Sequence, residues 1–218
     1  MKKITFLFII IFILLFSLAF KKSTINSFPL FGKTFVIDPG HGGIDPGAVY
    51  GDKVEKDYNL DFSNVLKHEL ESLGASVIMT RNADYDLSAS EKHRKKSDFD
   101  NRILLIDAIK PDLYISLHMN YLKETKYYGA QVFYSDINSS NKVIANDIQE
   151  KLNKFLSLNK KIKKIPNEKY MYNKIKSKGV LIEFAFISNT KDRENLNKEE
   201  YKTNLANVII SGIEDYLM

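Results

Sequence analysis

The chain contains no cysteine. That absence excludes disulfides, thiolate catalysis and cysteine-based zinc sites, so a metal centre here would have to use histidine and carboxylate. Internal repeats and low-complexity tracts are also missing beyond the N-terminus, which removes repeat architectures. Net charge is scarce. Of the formal +5, four charges are Lys2, Lys3, Lys21 and Lys22; the remainder sets 28 basic against 27 acidic side chains, a net of +1. A domain so close to neutral fits a nucleic-acid binder poorly. The local basic runs around His93 and over Lys160 to Lys164 read as solvated loops or helix faces.

Long apolar runs are absent as well, with one exception. Ile4 to Phe20 carries no charge and lies between the two lysine pairs. A positive start followed by such a run is the pattern of an export signal, and its length is at the short end of what spans a bilayer. The expectation is a signal peptide or N-terminal membrane anchor over 1–22, a tether over 23–32, and one domain over 33–218 held outside the cytoplasm. With 218 residues in all, the chain suits a single core.

Within the domain, short apolar runs alternate with helical spacings. Strands are expected at Lys33 to Asp38, Ser76 to Thr80, Leu113 to Leu117, Ala130 to Tyr134 and Val180 to Phe184. Helices are expected at 55–73 with Gly74 as the stop, at 98–109, at 139–157, and at the C-terminus with Tyr201, Leu205, Ile209 and Ile213 on one face. This order predicts an α/β fold: a single domain with a mostly parallel twisted sheet and helices on both faces, preceded by the N-terminal hydrophobic helix. Ligands of such sheets lie beyond the carboxyl ends of the strands. Two segments read as long loops, 82–97 and the lysine-rich 157–178 with Tyr170 and Tyr172, and each is as readily variable surface as a binding loop.

Four residues stand at or just past strand ends: His41 in "VIDPGHGG", Glu55 in "VEKDYNL", His118 in "LYISLHMN" and Glu183 in "VLIEFAFISN". A His, Glu, His set suits one zinc ion that keeps an open position for water, with a second glutamate to handle the proton. Each residue also has a plainer reading. His41, among Gly40, Gly42 and Gly43, reads on its own as a histidine that only caps or packs a turn. Glu55 lies three residues after Asp52, the spacing of a capping box. His118 reads equally as a satisfied core histidine, Asn120 as substrate-binding or as a loop start, and Asp38 as an acceptor that orients an imidazole or as a turn residue. Glu183 sits inside an apolar strand, where an unpaired carboxylate costs several kcal/mol, so it needs an ion pair with a lysine or Arg81, a proton, or a catalytic role.

Taken in order, "VIDPGHGGIDPGA", Glu55 in "EKD", "SLHMN" and "LIEFAFISN" resemble the zinc-dependent N-acetylmuramoyl-L-alanine amidases of the Amidase_3 family, over about residues 33 to 217. Within that family the chain is most similar to the CwlD type of spore-forming bacteria. The resemblance implies that 33–218 is an amidase catalytic domain, that His41, Glu55 and His118 hold one zinc ion, and that Glu183 is catalytic. It further implies peptidoglycan as substrate, cleaved between the lactyl group of muramic acid and L-alanine in cortex maturation towards muramic lactam. An activator or anchoring protein is the implied partner, with the membrane reached through the N-terminal segment. Ala185 and Asp107 depart from the pattern, where glycine and asparagine are usual. The competing readings are a cell-wall zinc peptidase or deacetylase, and a non-catalytic wall-binding protein.

Overall fold

The computed structural model describes residues 10–12 and 28–217. The expected signal or anchor, apart from residues 10–12, and the first half of the tether, residues 23–27, therefore lie outside the described residues. Among those described, no helix is long and apolar enough to cross a membrane.

Six strands form one sheet: β1 (Thr34–Pro39), β4 (Ser76–Met79), β5 (Leu113–Asn120), β6 (Gln131–Tyr134), β7 (Lys163–Lys164) and β8 (Gly179–Phe186), in the order β4-β1-β5-β8-β6-β7. The four strands β4, β1, β5 and β8 run parallel, and β6 is antiparallel to β8. A short hairpin, β2 (Val49–Tyr50) and β3 (Lys53–Val54), stands apart and delivers the chain to the first helix. The strands were legible because parallel strands are covered on both faces and so read as continuous apolar runs. Phe35, Val36 and Ile37 of β1 are all fully buried, as are Leu113, Tyr114 and Ile115 of β5.

Those alternating side chains enter two cores. Phe35, Ile37, Ile115 and Leu117 pack with α1 (Glu55–Ser72), α3 (Ser140–Leu156) and α5 (Glu199–Leu217), through Phe62, Leu66, Ile148, Leu205, Ile209 and Ile213. Phe62 meets Phe184 at a centroid separation of 4.6 Å, and its truncation to alanine would cost about 3–5 kcal/mol. On the other face Val36, Tyr114 and Leu181 are covered by Ile106 of α2 (Arg94–Ile109) and by Ile165, Met171, Tyr172 and Ile175 of the lysine-rich segment. That segment is thus half of a core, with β7 inside it.

Boundaries follow local chemistry. Gly74, at φ 90°, turns the chain out of α1, its N–H returning to the Glu71 carbonyl, as the sequence suggested. Helix α2 begins at Arg94, four residues before its expected start, because its first turn is charged and shows no apolar period. A further helix, α4 (Thr190–Leu196), was not anticipated; Asn189 caps it by accepting from the Asp192 N–H at 2.9 Å. His118 does not mark the exit of β5. The strand continues to Asn120, still paired to β8 across an irregularity after His118.

Candidate metal centre and active site

Past Pro39 the chain turns at once, and His41 takes φ 62°. Left-handed backbone costs an L residue about 1–2 kcal/mol, so something must hold it. Two buried arginines do. Arg102 donates to the Pro39 carbonyl at 2.9 Å and the His41 carbonyl at 2.7 Å, while Arg81 donates to Pro39 at 3.0 Å and Gly40 at 2.9 Å. Arg102 is itself held by Asp98 at 3.0 Å and Asp38 at 2.6 Å. Burial would raise the Asp38 carboxyl, but the Arg102 charge and hydrogen bonds from Thr80 and Ser116 keep it below the usual carboxylate range. Asp38 is therefore the ionic anchor beneath the turn.

The turn aims His41 at two residues distant in sequence. His41 Nε2 lies 3.2 Å and His118 Nδ1 3.0 Å from the same atom, Glu55 Oε1. The ligand atoms of all three residues fall within 4.8 Å of one another. Gly40 permits this approach, since a Cβ there would sit 2.1 Å from the His118 ring. Glu55 is the first residue of α1; the N-cap is Val54, which makes no side-chain cap bond, so the capping box with Asp52 does not form. Its carboxylate serves other segments instead, accepting from the Ala48 N–H at 2.8 Å and the Met119 N–H at 3.2 Å. Burial opposes the charge on Glu55, yet His118 and His41 hold its pKa far below the ordinary value. For His41 burial opposes protonation, and hydrogen bonds to Asp45 and Glu55 prevail, carrying it up to about 9. Two imidazoles turned on one buried carboxylate make a donor set that fits a small divalent cation of zinc's preference.

Glu183 lies directly opposite His118 in the β5–β8 register. Its Oε2 is sealed from solvent and has no hydrogen-bond partner. Burial foremost, and the Glu55 charge second, push its pKa up to about 8. The expected alternative of an ion pair with Arg81 is not realised, because that guanidinium is spent on carbonyls. Glu183 is thus a carboxyl mostly protonated at neutral pH while the cluster holds no cation, and its pKa within about a unit of neutrality suits a group that passes a proton in both directions.

All four residues line one cavity of about 430 Å³. Its far wall comes from Lys95 and Phe99 of α2 and from Glu168, Lys169, Tyr170 and Tyr172 of the lysine-rich segment. Asn120 closes β5 and is not among the lining residues. Sequence reading missed two contacts. Asp45 Oδ2 lies 3.1 Å from His41 Nδ1, and the Tyr172 hydroxyl lies 2.9 Å from His118 Nε2. The first had a faint signal in an acid four residues past the histidine; the second had only an aromatic in a polar loop.

Residues 35–215 match the family described as N-acetylmuramoyl-L-alanine amidase, Amidase_3. The germination-specific N-acetylmuramoyl-L-alanine amidase of Bacillus subtilis is 38% identical over 195 residues, covering 87% of this chain and 82% of that protein. Among solved structures, the CwlD amidase of Clostridioides difficile, in complex with the GerS lipoprotein, superposes with a TM-score of 0.78 at 34% identity over 85% of this chain and 98% of that one. The catalytic domain of the amidase CwlV from Bacillus (Paenibacillus) polymyxa gives 0.71 at 26% identity, over 85% and 98%.

Proposed function

Since the chain belongs to the N-acetylmuramoyl-L-alanine amidase family, we propose that its amidase activity is carried by zinc held on His41, Glu55 and His118, with Glu183 as the catalytic acid–base. The observation that carries this reading is the convergence of three ligand atoms within 4.8 Å beside a buried, unpaired carboxyl on the adjacent strand. Zinc, when bound, supplies Lewis acidity to the scissile carbonyl and brings the pKa of its water to roughly 7. Glu183 accepts the proton of the attacking water at its carboxylate and returns it to the departing nitrogen of L-alanine. Asp45 orients His41 through Nδ1. Lys95 and Phe99 of α2 and residues 168–172 line the cleft and would contact the bound substrate.

The domain doing this chemistry is 33–218, exported and held at the cell wall by the N-terminal segment. The substrate is peptidoglycan, and the likeness to a germination-specific amidase supports the spore cortex as its setting, upstream of muramic lactam. The relative solved with a lipoprotein supports an accessory protein that docks on this chain. The test is digestion of cortex and vegetative peptidoglycan with and without zinc, with a chelated control, reading released peptides by mass spectrometry. Free stem peptides beginning with L-alanine, seen only with metal, are expected. Released acetate or cut cross-links would instead mark a deacetylase or a peptidase.

A further inference from the structure

The cavity has two chemically different sides. One holds the donor cluster and Glu183. The other, formed by α2 and residues 168–172, brings two lysines, Lys95 and Lys169, to the same space with a single acid, Glu168. The base beneath Lys169 is fixed. Its N–H donates to the Pro166 carbonyl at 3.0 Å, the hydroxyl of the next residue, Tyr170, donates to Asp100 at 2.6 Å, and Met171 and Tyr172 are buried in the second core. Lys169 itself is exposed and, among the described residues, in no ion pair. Lys95, in the first turn of α2, has Asp45 Oδ2 at 3.7 Å, and that oxygen is already engaged by His41 at 3.1 Å. Two ammonium groups facing one cleft, neither held in a close ion pair, suit an anionic group on the molecule that occupies it.

In the proposed reaction Glu183 returns its proton to the departing nitrogen, so the peptide arm of the substrate starts beside that carboxyl. The charge of Lys169 acts on Glu183, and more strongly than that of His41. Lys169 therefore lies on the side by which the peptide leaves. L-alanine within the stem brings no charge. The residue joined to it in peptidoglycan is D-glutamate, linked onward through its side chain, and its α-carboxyl is either free or capped as a carboxamide. That group is the first on the peptide arm that an ammonium can tell apart. We propose that Lys169 and Lys95 are specificity-determining residues that hold the free α-carboxylate of the second stem residue, so that the enzyme favours acidic stem peptides over amidated ones. This deepens the amidase reading and rests on it for the position of the scissile amide. Because the carboxylate lies away from the reacting atoms, the contact is equal in ground and transition states and acts on KM rather than on kcat.

Two soluble probes isolate this group: N-acetylmuramoyl tripeptides with L-alanine first and L-lysine last, joined through the γ-carboxyl of a central residue that is D-glutamate in one and D-isoglutamine in the other. With the zinc-loaded full chain, kcat/KM for the acid should exceed that for the amide roughly tenfold, the low end for a hydrogen bond to a charged group. Combining Lys169→Gln with Lys95→Gln should raise KM for the acid to that for the amide, leaving kcat and the amide unchanged. Calorimetric binding of the same probes to chelated protein should give the same ranking; without metal, the carboxylate cannot score by ligating it. Equal affinities and equal kcat/KM for the two probes would overturn the proposal, as would binding of neither. A double variant that weakens both probes alike would overturn it too, since the wall would then be structural only. Turnover without preference sinks the proposal and leaves the amidase reading standing, whereas preference in binding without turnover in zinc counts against the amidase reading and supports the recognition.

Discussion

Replacing Glu183 with glutamine should stabilise the metal-free protein increasingly as pH rises, while removing its activity. The ordinary glutamate value is near 4.5, and burial with the Glu55 charge carries Glu183 to about 8. Between those two values the native state binds a proton that the unfolded state has released. Stability therefore falls as pH rises through this window, being least penalised below about 4.5 and fully penalised above about 8. At about 1.36 kcal/mol per pH unit, the native state forfeits about 3 kcal/mol between pH 4 and pH 7, and about 5 kcal/mol by pH 9. Glutamine has nearly the same shape and does not titrate, so the stability gap between variant and parent should open by these amounts. Urea unfolding of chelated protein at pH 4.5, 7 and 9 measures it. Parallel pH profiles for the two proteins would refute the argument, because they would mean that Glu183 ionises in the fold as it does in water. In the zinc-loaded protein the same change should cut kcat by roughly 10²–10⁴, the usual worth of a positioned acid–base group, with the metal retained. Loss of zinc from Glu183→Gln would mean that the residue is a ligand.

Zinc binding should release a proton from His41, whose pKa of about 9 reflects hydrogen bonds that a metal would replace. Calorimetry in buffers of different ionisation enthalpy should count about one proton from this residue at pH 7, and affinity should rise about tenfold per pH unit up to about 9; a pH-independent affinity would contradict it. Arg102→Met leaves Asp38 and Asp98 buried without their cation and frees two carbonyls of the His41 turn, so a loss of about 3–5 kcal/mol is expected in denaturant melts. Gly40→Ala places a methyl group 2.1 Å from the His118 ring. It should weaken zinc binding far more than it changes the circular dichroism spectrum, and an unaltered zinc affinity would show that the ring has room to retreat.

Much of this architecture was legible because burial on both faces writes itself into a strand as an unbroken apolar run, and Thr34–Pro39, Leu113–Asn120 and Gly179–Phe186 are such strands. The parts that escaped lack a local pattern. Helix α2 opens on Arg94, Lys95 and Lys96, whose period is hidden by charge, and β2, β3 and β7 are two residues each. The polar network beneath the site escaped for a different reason. Asp38, Arg102, Ser116 and Tyr172 meet only once the sheet and its second face are assembled, so no window of sequence contains their relationship.

Glu55 shows why a local motif can point the wrong way even when its physical logic is sound. The spacing from Asp52 satisfied a capping box, and the argument behind that motif is that helix-start donors need an acceptor nearby. Here Lys53 and Val54 are held in a ladder with Val49 and Tyr50, so the chain enters α1 from extended backbone and the box has no turn in which to form. The carboxylate still does what a buried carboxylate must, accepting from backbone N–H groups, but these belong to residues 7 and 64 positions away. Those two bonds fix Glu55 from the hairpin side and from β5 at once. The same β5 carries His118, and the same hairpin follows the His41 turn. An acceptor pinned by both strand systems is held in register with both imidazoles, so the bonds that a capping reading would have treated as purely structural are the ones that set the geometry of the three donor atoms.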